Sequence, residues 1–210
     1  MKTIIWDWNG TLLDDVAVCI ECINAILRKN ELPEFANAAA YRRTFCFPVQ
    51  DYYRKCGFDF EKTPFEVLAR EFIGLYQKAS EGCALAPSAL AALEEARRRG
   101  FRQILLSASK QDNLLRQVGA YPLESYFSEI LGIGHIYATS KADLAAGWME
   151  KQPTEGRDVV MIGDSLHDLE VAQAIGARCA LYTAGHQAIA DGYRDSAMVV
   201  DDLRDAIALL

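Results

Sequence analysis

The feature that most constrains this chain is a pair of apolar runs that each end in acid. Ile4-Ile5-Trp6 gives way to Asp7-Trp8-Asn9-Gly10-Thr11, and Val159-Val160-Met161-Ile162 gives way to Gly163-Asp164-Ser165-Leu166-His167-Asp168. Short unbroken apolar runs read as strands buried on both faces, the habit of parallel sheets. Each delivers a carboxylate to its C-terminal end, the edge where open α/β sheets bind ligands. Three carboxylates on one rim form a hard-oxygen site of the kind Mg²⁺ prefers, which points to phosphate chemistry.

The rest of the pattern predicts a first strand over 3–8 and an amphipathic helix over 15–30, with Val16, Cys19, Ile20, Ile23, Ile26 and Leu27 on one face. Residues 31 to about 86 read as helical and irregular, broken at Pro33, Pro48, Gly57 and Pro64. From Pro87 onward helices and strands alternate: helix 88–99 closed by Gly100, strand 102–107, helix 110–118, strand 128–132, helix 141–151, strand 158–162, helix 166–175, and strands 178–182 and 197–200. Such alternation implies a doubly wound parallel α/β sheet with right-handed crossovers. The division expected is an α/β core from 1–13 and 87–210 with an inserted helical cap over 14–86.

A net charge of −7 argues against nucleic acid or an anionic membrane surface as partner. The basic Arg97-Arg98-Arg99 reads as a helix C-terminus, where cations suit the helix dipole. Met1-Lys2-Thr3 leads straight into the first strand with no signal-peptide core, so a cytoplasmic location is expected. The six cysteines follow no disulfide or zinc spacing and read as free thiols, mostly buried.

Asp7 is the candidate nucleophile, because a carboxylate can take a phosphoryl group and split one slow displacement into two. An acidic strand cap is the plain alternative. Capping alone also accounts for Asp168 in a first helical turn, but not for Asp164, since adjacent acids repel unless a cation lies between them. Thr11, Ser107 with the following N–H of Ala108, and Lys141 are candidate phosphate contacts.

On these motifs, in this order, the chain resembles the haloacid dehalogenase-like hydrolase superfamily, nearest its phosphoglycolate phosphatase and β-phosphoglucomutase-like branch. The resemblance implies a Rossmann-like core and a helical cap that closes over the site. It also implies a Mg²⁺-dependent phosphatase acting on a small phosphorylated metabolite through an aspartyl-phosphate. Asp7 would be nucleophile and metal ligand. The backbone carbonyl of Asn9, Asp164 and Asp168 would complete the Mg²⁺ site, and Ser107 and Lys141 would hold phosphoryl oxygens. Arg43, beside Phe45-Cys46-Phe47-Pro48, falls where related caps select substrate; a hydrophobic turn with solvated arginines is the alternative.

One position departs from the family pattern. Where a second Asp usually serves as acid and base, this chain has Asn9, whose amide cannot shuttle a proton at neutral pH. General acid–base catalysis is worth roughly 10²–10⁴-fold, so turnover is expected to be slow. A catalytically impaired phosphate-binding or regulatory protein is the second reading. A third, phosphonoacetaldehyde hydrolase-like chemistry, needs a cap lysine, and none of Lys29, Lys55, Lys62 or Lys78 stands out. His135, His167 and His186 read as solvent-exposed loop histidines, with His167 kept as a weak substitute acid. Replacing Asn9 with Asp is expected to raise the rate if the machinery is otherwise intact.

Overall fold

A computed structural model describes residues 1–134 and 141–210. The chain runs β1 (Thr3–Trp6), β2 (Leu13–Asp14), α1 (Val16–Lys29), α2 (Ala38–Thr44), α3 (Val49–Lys55), α4 (Phe65–Ala79), β3 (Ala84–Leu85) and α5 (Ala89–Arg98). It continues β4 (Arg102–Lys110), α6 (Gln111–Val118), β5 (Glu129–Ile133), α7 (Lys141–Met149), β6 (Val159–Gly163), α8 (Leu166–Ala174), β7 (Arg178–Tyr182), β8 (Met198–Val200) and α9 (Leu203–Ala206).

Six strands form one parallel sheet in the order β5-β4-β1-β6-β7-β8. From the central β1 the chain winds outward through β4 and β5, then returns to β6 and winds the other way. The winding direction therefore reverses beside β1, where open sheets leave a ligand crevice at the strands' C-terminal ends. Side-chain alternation sorts the core. Ile4, Trp6, Leu105 and Ile162 pack on the face covered by α5, α6 and α9, while Ile5, Ile104, Leu106 and Met161 pack on the face covered by α7 and α8. Every residue of β1 and β6 is buried, as expected for strands covered on both sides. The buried polar side chain of Gln103, on β4 beside β1, is satisfied by Trp6 Nε1 at 2.9 Å and by the Leu93 carbonyl at 3.1 Å.

Helices α1–α4 bury a hydrophobic cluster of their own around Ile23, Ile26, Leu27, Tyr41, Tyr52, Phe65 and Leu68. The predicted breaks lie at or near their ends: Pro48 and Pro64 occupy the N-cap positions of α3 and α4, where the missing N–H costs nothing, and Gly57, with φ +95°, lies just past the end of α3.

Several boundaries differ from expectation. β1 ends at Trp6 rather than at residue 8, because the Trp8 carbonyl turns to accept the N–H groups of Thr11, Leu12 and Leu13. β4 runs on to Lys110, with a register shift against β5 between Leu106 and Lys110. The antiparallel ribbon β2–β3, which joins the two ends of the helical insertion, was not foreseen; two-residue strands carry no periodicity to read. The short α9 was also missed.

Candidate functional site

Asp7 leaves the end of β1 while its N–H still bonds the Ile162 carbonyl at 2.8 Å, so the two central strands fix its position. Gly10 then turns back with φ +70°. A side chain there would run into Asp164 and His186, which makes glycine a packing requirement as well as a conformational one. Asp164 and Asp168 follow β6. Asp168 closes a capping box with Ser165, and its Oδ2 accepts from the Ser165 hydroxyl (2.7 Å), the Ser165 N–H (3.0 Å) and the Asp164 N–H (3.1 Å). Lys141, the first residue of α7, binds the Asp7 carboxylate and reaches Asp168 Oδ1 at 2.5 Å.

Oxygens of Asp7, Asp164 and Asp168 lie within 4.8 Å of one another, all three residues buried. Burial raises the Asp7 carboxyl to about 6 against the pull of Lys141, with Asp168 adding to the rise. Burial likewise raises Asp164 to about 8, opposed by His186 and assisted by Asp7 and Asp168. Asp168 stays below the usual carboxylate range because Lys141 and Ser165 overcome its burial. For Lys141 burial disfavours the charge, but Asp168 and Asp7 outweigh it and raise its pKa. The cluster thus holds more negative charge than its cations neutralise. An all-oxygen donor set with that deficit suits a hard divalent cation.

Beside this cluster lies a cavity of about 320 Å³ between the sheet edge and helices α2–α4. Asp7, Asn9, Ser107, Ala108, Lys141, Asp164 and Asp168 all line it. Thr11 does not; it is fully buried and lies 3.4 Å from both Asp7 Oδ2 and Asp164 Oδ1, behind the carboxylates. Arg43 is exposed and lines no part of the cavity, so the structure does not bring it to the site. Its neighbour Arg42 instead ties α2 to the loop after β7, donating to the Gly185 (2.7 Å) and Ala184 (2.6 Å) carbonyls. Phe45 and Phe47 do line the cavity, as the apolar loop suggested. None of Lys29, Lys55, Lys62 and Lys78 does.

The histidines also need correction. His186 is 5% exposed rather than solvated. Its Nε2 pairs with Asp15 Oδ1 at 3.1 Å and its Nδ1 with the Tyr41 hydroxyl at 2.9 Å. Burial works against the charged ring, but Asp15, Asp164 and Asp7 outweigh it and raise its pKa to about 9. His167 stacks on Phe47 with centroids 4.6 Å apart and pairs with Glu170 at 3.1 Å, leaving Nε2 buried without a hydrogen bond at the cavity wall. His135 lies outside the described residues.

Sequence reasoning missed Asp15, Tyr41 and Tyr76. Asp15 occupies the N-cap position of α1 but does not cap it. Its fully buried carboxylate turns back to accept from the Gly10 N–H (2.8 Å), Asn9 Nδ2 (2.9 Å), the Tyr76 hydroxyl (2.6 Å) and His186. These partners, His186 first, overcome burial and hold its pKa low. Asn9 is bound at both ends, since Nδ2 also reaches the Tyr76 hydroxyl (2.7 Å) and Oδ1 accepts from Ser109 Oγ (2.9 Å) and Ser107 Oγ (3.4 Å). The only sequence signal was an acid before a helix, which ordinarily means a cap.

A model of the haloacid dehalogenase-like hydrolases matches residues 4–182. The phosphoglycolate phosphatase of Rhodobacter capsulatus is 23% identical over 192 residues, spanning 88% of this chain and 85% of that protein. That of Aliivibrio fischeri is 24% identical over 224 residues, spanning 100% and 96%. A haloacid dehalogenase-like family hydrolase from Streptococcus pneumoniae shares the fold with a TM-score of 0.83 at 16% identity, over 99% of this chain and 97% of that one. With 179 of its 210 residues matched by the family model, this chain belongs to the haloacid dehalogenase-like hydrolases.

Proposed function

We propose that this protein is a Mg²⁺-dependent phosphatase that cleaves a phosphoric monoester of a small metabolite through an aspartyl-phosphate on Asp7. The observation that carries the reading is the convergence of Asp7, Asp164 and Asp168, with Lys141 joined to two of them. The named relatives are phosphatases, which agrees.

Asp7, Asp164, Asp168 and the Asn9 carbonyl would hold the cation, which supplies charge neutralisation for the phosphoryl oxygens when bound. Lys141 restrains the Asp7 carboxylate and offers its ammonium to the same oxygens. Ser107 and the Ala108 N–H, which line the cavity at the end of β4, would face the phosphoryl group from that side. Asp7 attacks phosphorus, the ester oxygen departs, and water then cleaves the acyl-phosphate. Helices α1–α4 act as the cap over 14–86, and their apolar wall excludes bulk water from the reacting centre.

The test is p-nitrophenyl phosphate turnover with and without EDTA. Hydrolysis should require the cation and vanish in Asp7→Ala; metal-independent activity, or activity retained in that variant, defeats the mechanism. One observation favours a non-catalytic phosphate-binding role instead: the Asn9 amide is held at both ends where the family's proton carrier usually stands. In that case Mg²⁺ and a phosphate analogue bind, and no ester in a broad panel is hydrolysed.

A further inference from the structure

Resting on the phosphatase reading above, we infer that the substrate is a phosphate monoester of a phenol: an aromatic ring joined directly to the ester oxygen. Two independent observations carry this, one about where the leaving group sits and one about how it departs.

Positions 41–77 contribute a dozen residues to the cavity wall, of which eight are aromatic, three aliphatic and one the neutral Gln77. No charged side chain comes from this stretch. Phe72 and Tyr76 stand parallel with centroids 5.9 Å apart, and Phe45 meets Phe47 edge-on at 5.5 Å. Both arginines of α2 are absent from the wall, Arg42 bonded to carbonyls and Arg43 in solvent. A leaving group with a carboxylate, such as glycolate, would face hydrocarbon on the cap side and lose hydration without a counter-charge. A ring would gain both area burial and edge or face contacts. Among the described residues, the lining cations outside the carboxylate cluster and the two histidines are Lys110 and Arg116, both on the β4–α6 side.

The second observation is Asn9. An aliphatic alkoxide is too basic to leave without a proton, and Asn9 has none to give. A phenol ionises near pH ~10, so an aryloxide can depart with the electron pair of the broken P–O bond and take its proton from solvent afterwards. The balance is simple. Asp7 Oδ forms the new bond to phosphorus while the P–O(aryl) bond breaks. Water then attacks the acyl-phosphate, returning the Asp7 carboxylate and releasing inorganic phosphate and a proton. The first step needs no acid at position 9. The second still lacks its base, so the phosphoenzyme accumulates.

The experiment uses the whole protein with Mg²⁺. Stopped-flow release of p-nitrophenol should show a burst approaching one equivalent per protein, followed by slower turnover. Across substituted phenyl phosphates the burst rate should rise steeply as the phenol becomes more acidic. Phenyl phosphate should exceed in kcat/KM, by at least about 100-fold, both phosphoglycolate and benzyl phosphate, the second of which has the ring but a basic leaving group. Phenylphosphonate should inhibit at lower concentration than phosphonoacetate. A flat dependence on phenol acidity, or preference for phosphoglycolate, overturns the inference and leaves the phosphatase reading standing. No phosphate released from any ester overturns that reading, and then tighter binding of phenylphosphonate than phosphonoacetate supports the aromatic site alone, while equal binding removes that too.

Discussion

The two walls of the cavity are built on opposite principles. The sheet side is a charge cluster, with Asp7, Asp164, Asp168 and Lys141 buried together and held by backbone N–H groups at strand ends. The helical side is hydrocarbon, with aromatic rings from α2–α4 and few polar atoms. Between them runs a seam, Asn9–Tyr76–Asp15–His186–Tyr41, where core and helices exchange hydrogen bonds. On the proposed function, charge would fix where a phosphoryl group goes, shape and dryness would fix what is attached to it, and the seam would couple the two.

Removing the proposed nucleophile of the sheet side should have the largest effect. Asp7→Ala is expected to lower kcat by about 10⁴-fold or more, measured as steady-state phosphate release. Comparable rates would mean that the cluster is not where the chemistry occurs.

The seam comes next. His186→Ala leaves Asp15 buried without its cation and should cost on the order of 3–5 kcal/mol in urea unfolding. It bears directly on Asn9→Asp, which would set a second carboxylate where the amide now lies 2.9 Å from Asp15 Oδ2. The acid's restoration is therefore expected to destabilise the protein rather than simply to raise its rate. Pairing it with Asp15→Asn should recover much of the loss. Full activity and stability in the single variant would show that the seam tolerates a second charge.

A smaller effect concerns pH. Asp7 and Asp164 ionise in the folded protein at about 6 and about 8, above their ordinary 3.8. The native state therefore keeps protons that the unfolded chain has lost, so this contribution to stability is present at low pH and is lost as pH rises through those values. On the proposed function, a bound cation would take the place of those protons. Mg²⁺ should raise the melting temperature more at pH 8 than at pH 5.5, read by thermal scans at fixed metal concentration. An equal shift at both would mean that it binds elsewhere.

Arg42→Ala should matter least. It removes two partly exposed hydrogen bonds between α2 and the loop after β7, worth about 1 kcal/mol together. A rise in KM with unchanged kcat would mark these bonds as holding the helical wall in place.

Much of the sheet side was legible because its cause is local. Buried parallel strands are apolar throughout, so an acid at their end marks a candidate site, and Asp7 and Asp164 do converge. Ser107 and Lys141 could be placed through the motif order that the family shares. The helical side and the seam were not legible in the same way. Arg43 and Arg42 are adjacent in sequence, and only packing decides that one faces solvent and the other bridges to Gly185. His186 read as a loop histidine because its partners are 171 and 145 residues distant.

By itself the sequence determined the parallel core, the central strand carrying Asp7 and the acidic loop after β6, because periodicity and strand-end chemistry act within a few residues. Only the tertiary structure decided that Asp15 turns away from its helix to hold Asn9, that Thr11 lies behind the carboxylates, and that the cavity's far wall is aromatic. Those outcomes depend on which distant side chains fill the space around each buried polar group, because a buried polar group left unpaired costs stability and Asp15, Asn9 and His186 each find their partners far along the chain.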